Sequence, residues 1–199
     1  MKRKMIFLVA ALSAPGLSSA SQAVGKDSSR HSYSNVGLKL NLGLGSRDAS
    51  SPHSLERGDA ASLSLGYGVS QFVTLWLGAN ISKHAHEMNP ERESKVVGIE
   101  LSVQYKLRPN QKLRPYGAIG LGTVFLGSEG EKVLNGGGVV WALGAEYRLA
   151  RFLSLGAEFF WKDLQYTKQG EDGLKGDFTK LERPINGDIK GFMINFTLH

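Results

Sequence analysis

Cysteine is absent from the 199 residues, proline occurs only 6 times, and nothing after residue 23 carries a sustained helical period. Without cysteine there is no disulfide scaffold, no Cys-based zinc site and no thiol catalysis. An oxidising compartment stays open, because a well-closed fold can do without bridges there. Scarce proline and the lack of a Gly-X-Y period exclude collagen and a Pro/Gly-rich disordered chain. The apolar run from Met5 to Leu12 is far short of the roughly 20 residues that a spanning helix needs. What the chain has in excess is glycine, at 25 residues, nearly twice the usual share of about 7%. Its length suits one domain of ordinary size.

The N-terminus has the order of a secretory signal peptide. Lys2, Arg3 and Lys4 precede the apolar run, and Pro15, Gly16 and a small-residue stretch follow it. Cleavage is expected after Ala20 or Ala23, leaving residues 24–199 as the mature domain. Removal takes three basic residues away, so 24 fall to 21 against 18 acidic and the formal charge drops from +6 to +3. Nucleic-acid binding, which needs a concentrated basic face, loses most of its support.

The rest of the chain alternates with a period of two. Apolar residues occupy every second position in seven segments, Val36–Leu44, Leu63–Val69, Val73–Ile81, Val97–Leu107, Val139–Tyr147, Leu153–Trp161 and Phe192–Leu198, and 116–126 is an eighth of weaker parity, with Ile119, Leu121 and Phe125 on its apolar face. The expected architecture is all-β, eight antiparallel strands of about ten residues, the length of a tilted transmembrane strand. Connections alternate in length. Short turns at Ser70-Gln71, Arg108–Arg114 and Ala150-Arg151 take turns with longer polar connections at roughly 46–60, 83–95, 127–137 and 165–188. An up-and-down outer-membrane barrel has this asymmetry, with tight turns inside and long loops outside.

A soluble barrel or sandwich would share the alternation and differ only in which face is buried. Three features favour the membrane. Tyr67, Phe72, Tyr105, Tyr116, Tyr147 and Phe152 flank the short turns, while Phe125, Trp141 and Trp161 lie toward the long connections. That predicts two interfacial aromatic belts. The polar face is rich in glycine and serine, which suits a narrow interior and leaves room for Trp76 and Phe160. The export signal takes the chain out of the cytoplasm.

Lys190-Gly191-Phe192-Met193-Ile194-Asn195-Phe196 resembles the C-terminal signal by which the insertion machinery reads bacterial outer-membrane barrels, with Gly191, Ile194 and Phe196 at its key positions. Thr197-Leu198-His199 follow, where the family usually stops. Arg114–Gly122 is similar to the fifth strand of the small Gram-negative outer-membrane β-barrel domain proteins, the group of the OmpA membrane domain, OmpX and OmpW-like proteins. The resemblance covers residues 34–199. It implies outer-membrane residence and folding by the barrel-assembly machinery, and it carries no activity with it.

With the polar face inside, Lys39, Glu100, Lys106, Glu146, Arg148, Glu158 and Lys162 line the lumen, four positive and three negative. An eight-stranded interior is just wide enough for side chains to fill. Opposite charges there should pair into a plug, and Glu146→Ala should destabilise more than a loop substitution.

Other constellations are weaker. His84 and His86 share a strand face near Glu87 and Glu91, a possible metal pair that solvated loops also produce. His31-Ser32-Tyr33-Ser34-Asn35 places no carboxylate beside its histidine and serine, so it reads as a polar periplasmic segment. Gly43-Leu44-Gly45 and Gly120-Leu121-Gly122 open no helix and read as barrel glycines. The charged segment 165–188 could meet lipopolysaccharide phosphates or another surface. The expectation is a monomeric, non-catalytic outer-membrane barrel with a structural or surface-interaction role and neither cofactor nor metal, in contact with outer-membrane lipids and lipopolysaccharide. A narrow transport barrel for small, largely apolar solutes is the runner-up. A lipid-modifying enzyme is third.

Overall fold

Every second residue from Leu153 to Trp161 is apolar and its neighbours are polar or small, so a strand here presents two chemically different faces. That pattern, repeated eight times, has one way to satisfy all backbone hydrogen bonds without an edge, which is a closed ring. The computed structural model describes residues 35–49, 55–86, 89–128, 132–170 and 177–199. The expected signal segment and the His31–Ser34 motif lie outside them.

Eight strands follow in chain order: β1 (Gly37–Ala49), β2 (Gly58–Gly68), β3 (Val73–His86), β4 (Asn89–Lys106), β5 (Leu113–Ser128), β6 (Val133–Ala150), β7 (Leu153–Gly170) and β8 (Phe178–Leu198). Each pairs antiparallel with the next, and β1 closes on β8 through Leu40↔Leu198 to Ala49↔Ile189. The fold is an eight-stranded, up-and-down antiparallel barrel. At the β2–β3 turn, Ser70 Oγ accepts from the amides of Phe72 (3.2 Å) and Val73 (3.0 Å). The β4–β5 turn holds Arg108 at φ 50°, the left-handed region, immediately before Pro109.

The strands run well past the ends of the hydrophobic alternation. Lengths of 11 to 21 residues replace the expected ten, and much of 46–60, 83–95, 127–137 and 165–188 is strand rather than loop. Alternation marks where lipid begins, whereas backbone pairing needs no apolar partner and continues into water. One irregularity has a chemical cause. Between Tyr166 and Lys168 the β7–β8 register jumps from Ile185 to Lys180, and Pro184, which has no amide to donate, lies in the bulged segment.

Burial is inverted relative to a water-soluble protein. Leu38, Leu44, Leu65, Leu101 and Leu121 are each more than 60% exposed, while Arg114, Lys106 and Lys162 are among the largest fully buried side chains. The outward apolar run on β7, from Leu153 to Trp161, ends at Asp163. Its nine residues span about 27 Å along the strand, or roughly 20 Å across a bilayer at the usual tilt. On the other strands the band stops below Ser46, Asp59, Lys83, Lys95 and Lys190. Outward leucines in water would be costly; in hydrocarbon they are at home.

Candidate functional site: the charged lumen

Inward positions form stacked layers of polar side chains. At the short-turn end, β1, β4, β5 and β6 deliver Lys39, Lys106, Arg114, Glu146 and Arg148, all buried. Lys106 Nζ lies 2.7 Å from Glu146 Oε2, and Arg114 Nη2 pairs with Glu146 Oε1. Asn35, just ahead of β1, enters the barrel beneath them. Its amide donates to Ser70 O at 3.0 Å and Thr74 Oγ1 at 3.1 Å, and its carbonyl accepts from Lys106 Nζ at 3.0 Å.

Higher up, Lys162 pairs with Glu100, and Asn80 links Glu100 to Arg47, whose Nη1 is 2.5 Å from Asn80 Oδ1. The Arg47 guanidinium and the Lys162 ammonium both sit over the Phe160 ring, 5.0 and 5.2 Å from its centroid. Between the layers Tyr116 donates to Glu158 Oε2 at 3.0 Å, and Trp76 Nε1 donates to Gln104 Oε1 at 3.2 Å. A central cavity of about 100 Å³ remains, lined by Asn41, Ser62, Ser64, Gln104 and Asn195 among others.

The inward aromatics fit because glycine faces them. Trp76 lies over its register partner Gly66, Tyr116 over Gly144 and Phe160 over Gly191. A methyl group on Gly144 would stand 2.6 Å from the Tyr116 ring. Close approach, rather than backbone conformation, explains these glycines.

The seven charged residues expected inside all face the lumen, and the structure adds two. Arg47 falls in the expected 46–60 connection, beyond Gly45 where the alternation fades, yet pairing with β2 and β8 keeps it in strand. Arg114 falls at the end of the expected Arg108–Arg114 turn and lies within β5, on the even-numbered face it shares with Gly120 and Gly122. Among the described residues the interior therefore holds six Lys and Arg side chains and three Glu carboxylates, where four and three were expected. Tyr116, expected in the lipid-facing belt, points inward and is 6% exposed. Of the C-terminal signal, Gly191 faces inward, whereas Ile194 and Phe196 face outward.

His84 also points inward. Its Nδ1 donates to Glu56 O at 3.0 Å and its Nε2 accepts from Ser82 Oγ at 2.9 Å. Both ring nitrogens are thus engaged, and the His86 side chain and Glu87 lie outside the description. Among the described residues no group of three His, Asp or Glu is placed to hold a metal.

Ser154, His199 and Glu146 do converge, and are the residue types of an acyl-transfer triad. Their order is wrong for one. His199 Nε2 lies 2.8 Å from Ser154 Oγ and 3.3 Å from Glu146 Oε1, while its Nδ1 lies 2.6 Å from Lys39 Nζ. In a triad the nucleophile and the orienting carboxylate take opposite ring nitrogens, whereas here both approach Nε2.

A closed antiparallel ring with an apolar exterior and a charge-filled interior is an integral outer-membrane β-barrel. The chain belongs to the outer membrane protein β-barrel domain family, whose model matches residues 7–182. Among solved structures, Neisserial surface protein A is similar at a TM-score of 0.55 and 15% identity, over 81% of this chain and 96% of that one. The outer membrane protein OprG from Pseudomonas aeruginosa is similar at 0.54 and 14% identity, over 82% and 95%. These likenesses carry the fold. No curated protein sequence matches the chain.

Proposed function

We propose that the protein is a non-catalytic outer-membrane barrel with a closed lumen, acting as a rigid structural element that presents its extended outer rim for surface interaction. The observation that carries this reading is the pair of charge layers across the interior, Lys106–Glu146–Arg114 below and Lys162–Glu100 above. Buried pairs of this kind are costly to open singly. Strands that continue beyond the lipid band make the rim a stiff, hydrogen-bonded surface. In this reading residues 1–23 are removed on export, and Gly191, Ile194 and Phe196 are read by the barrel-assembly machinery. Lys83, Lys95 and Lys190, which face outward just above the apolar band, meet lipopolysaccharide phosphates.

The test is conductance of the purified barrel in planar bilayers at high salt. The expected record is a silent membrane, at low and elevated voltage alike. Stable unitary steps, or selective uptake of small apolar solutes into liposomes, would replace this reading with the transport one.

A further inference from the structure

The three short turns differ in charge. Arg108 and Lys112 stand in the β4–β5 turn and Arg151 in the β6–β7 turn, whereas the β2–β3 turn, Val69–Phe72, has no charged residue. All three cations are exposed. None of their side chains makes an ion pair or a hydrogen bond among the described residues. No Asp or Glu lies in any of the three turns, and Glu146, the first carboxylate met along β6, is buried in the lumen. The two charged turns are neighbours, since Arg148 N donates to Lys112 O at 2.9 Å and Leu113 pairs with Tyr147. Their cations form one patch on the β4–β7 side of the rim.

The patch lies at the edge of the apolar band. Leu107, Leu113, Leu149 and Phe152 flank the charged turns, point outward and are each more than half exposed. Phe72 and Tyr105 stack at the same end, 5.9 Å between ring centroids, as interfacial aromatics do. A long basic side chain rooted next to the last lipid-facing residue carries its charge to the level of headgroup phosphates. Arg108 also holds φ 50°, a region that glycine or asparagine enters more easily. Residues kept in such strained conformations gather at functional sites.

We propose that this patch binds the phosphates of anionic glycerophospholipids in the leaflet that the short turns face, through Arg108 and Lys112 on one turn and Arg151 on the next. The exposed charge is of one sign, and its depth is that of a headgroup. A carboxylate-bearing polymer beyond the membrane would instead be met by side chains standing clear of the apolar band. Anionic lipid gathers along the β4–β7 side of the barrel and leaves the β2–β3 side to zwitterionic lipid. The patch is independent of the closed-lumen reading, because it lies outside the ring and a conducting barrel would carry it equally.

The absence of cysteine lets a fluorophore be placed at one position, Asn110→Cys in the charged turn or Gln71→Cys in the uncharged one, both exposed. The purified barrel is folded into phosphatidylcholine vesicles that contain a small fraction of spin-labelled phosphatidylglycerol or spin-labelled phosphatidylcholine as quencher. At Asn110→Cys the phosphatidylglycerol should quench several-fold more effectively, on the scale of roughly fivefold for one basic residue near an anionic surface. The preference should vanish in about 1 M salt. At Gln71→Cys the two lipids should quench alike. Arg108→Gln, Lys112→Gln and Arg151→Gln combined should equalise them at Asn110→Cys, while Lys83→Gln with Lys95→Gln, at the opposite rim, should leave the preference intact. If the triple variant does not fold, Arg151→Gln alone, on the turn without the probe, should lower the preference at least about twofold. Equal quenching at Asn110→Cys, the same preference at both probe positions, or a preference that survives the triple substitution would overturn the proposal. So would binding of the wild-type barrel, but not the triple variant, to purified peptidoglycan without any lipid preference.

Discussion

Tyr116 and Glu158 meet inside the barrel, the phenol donating to carboxylate Oε2 at 3.0 Å. Their strands, β5 and β7, are not neighbours; β6 lies between them, and Gly144 on β6 leaves the space through which the tyrosine ring passes. Tyr116→Phe keeps the ring and removes the donor. It should cost about 1–3 kcal/mol, the range for a buried charged acceptor losing a partner. Urea unfolding in detergent or lipid reads this directly, and an unchanged midpoint would mean that the bond contributes nothing.

Gly144→Ala tests the same passage by volume. The added methyl meets both the Tyr116 ring and the Ala157 carbonyl oxygen at 2.6 Å and should destabilise by about 1–3 kcal/mol. Gly117→Ala is the control on the outward face, where the nearest atom to an added carbon is Leu143 Cδ2 at 3.6 Å. Equal losses in the two variants would show that Tyr116 does not lean on Gly144.

Glu146→Ala leaves Lys106 and Arg114 buried without their shared carboxylate. The expected loss is about 3–5 kcal/mol. Asp48 pairs with Arg57 at 3.0 Å above the apolar band, with both side chains largely in water. Hydrogen bonding from Arg57 holds the Asp48 carboxyl below its usual range, yet exposed pairs contribute little, so Asp48→Ala should leave the unfolding midpoint unchanged. Similar losses for the two would remove the interior network from the account.

The three tryptophans report the inversion of faces. Trp141 and Trp161 stack outward at 6.4 Å between ring centroids, whereas Trp76 points into the lumen. In vesicles of brominated lipid, a variant retaining only Trp76 should keep its fluorescence. Variants retaining only Trp141 or Trp161 should be strongly quenched, as befits residues in the interfacial belt. Quenching of Trp76 alone would turn the barrel inside out.

Boiling should shift the band of the folded protein on SDS gels. A closed ring leaves no strand edge for detergent to open, so SDS must await heat. A band that runs identically with and without boiling would argue against closure of β1 on β8.

The sequence by itself determined the number of strands, the faces they present and the end at which the short turns lie. Two-residue alternation is a local property, set by the pleat and written directly in Leu63–Val69 or Val97–Leu107. It also placed Lys39, Glu100 and Glu146 on the inner face. What it could not carry is which of them meet. Arg114 reaches Glu146 across a separation of 32 residues and Lys39 reaches His199 across 160, and both contacts depend on the stagger accumulated around the ring and on the closure of β1 against β8. Arg47 entered the lumen for the same reason, since pairing with β2 and β8 holds β1 in strand beyond the point where its leucines stop. Tyr116 turned inward because Gly144, its register partner, leaves room beside it. Only the tertiary structure, by setting those registers, turned a list of inward charges into a lower layer rich in cations and an upper layer that pairs Lys162 with Glu100.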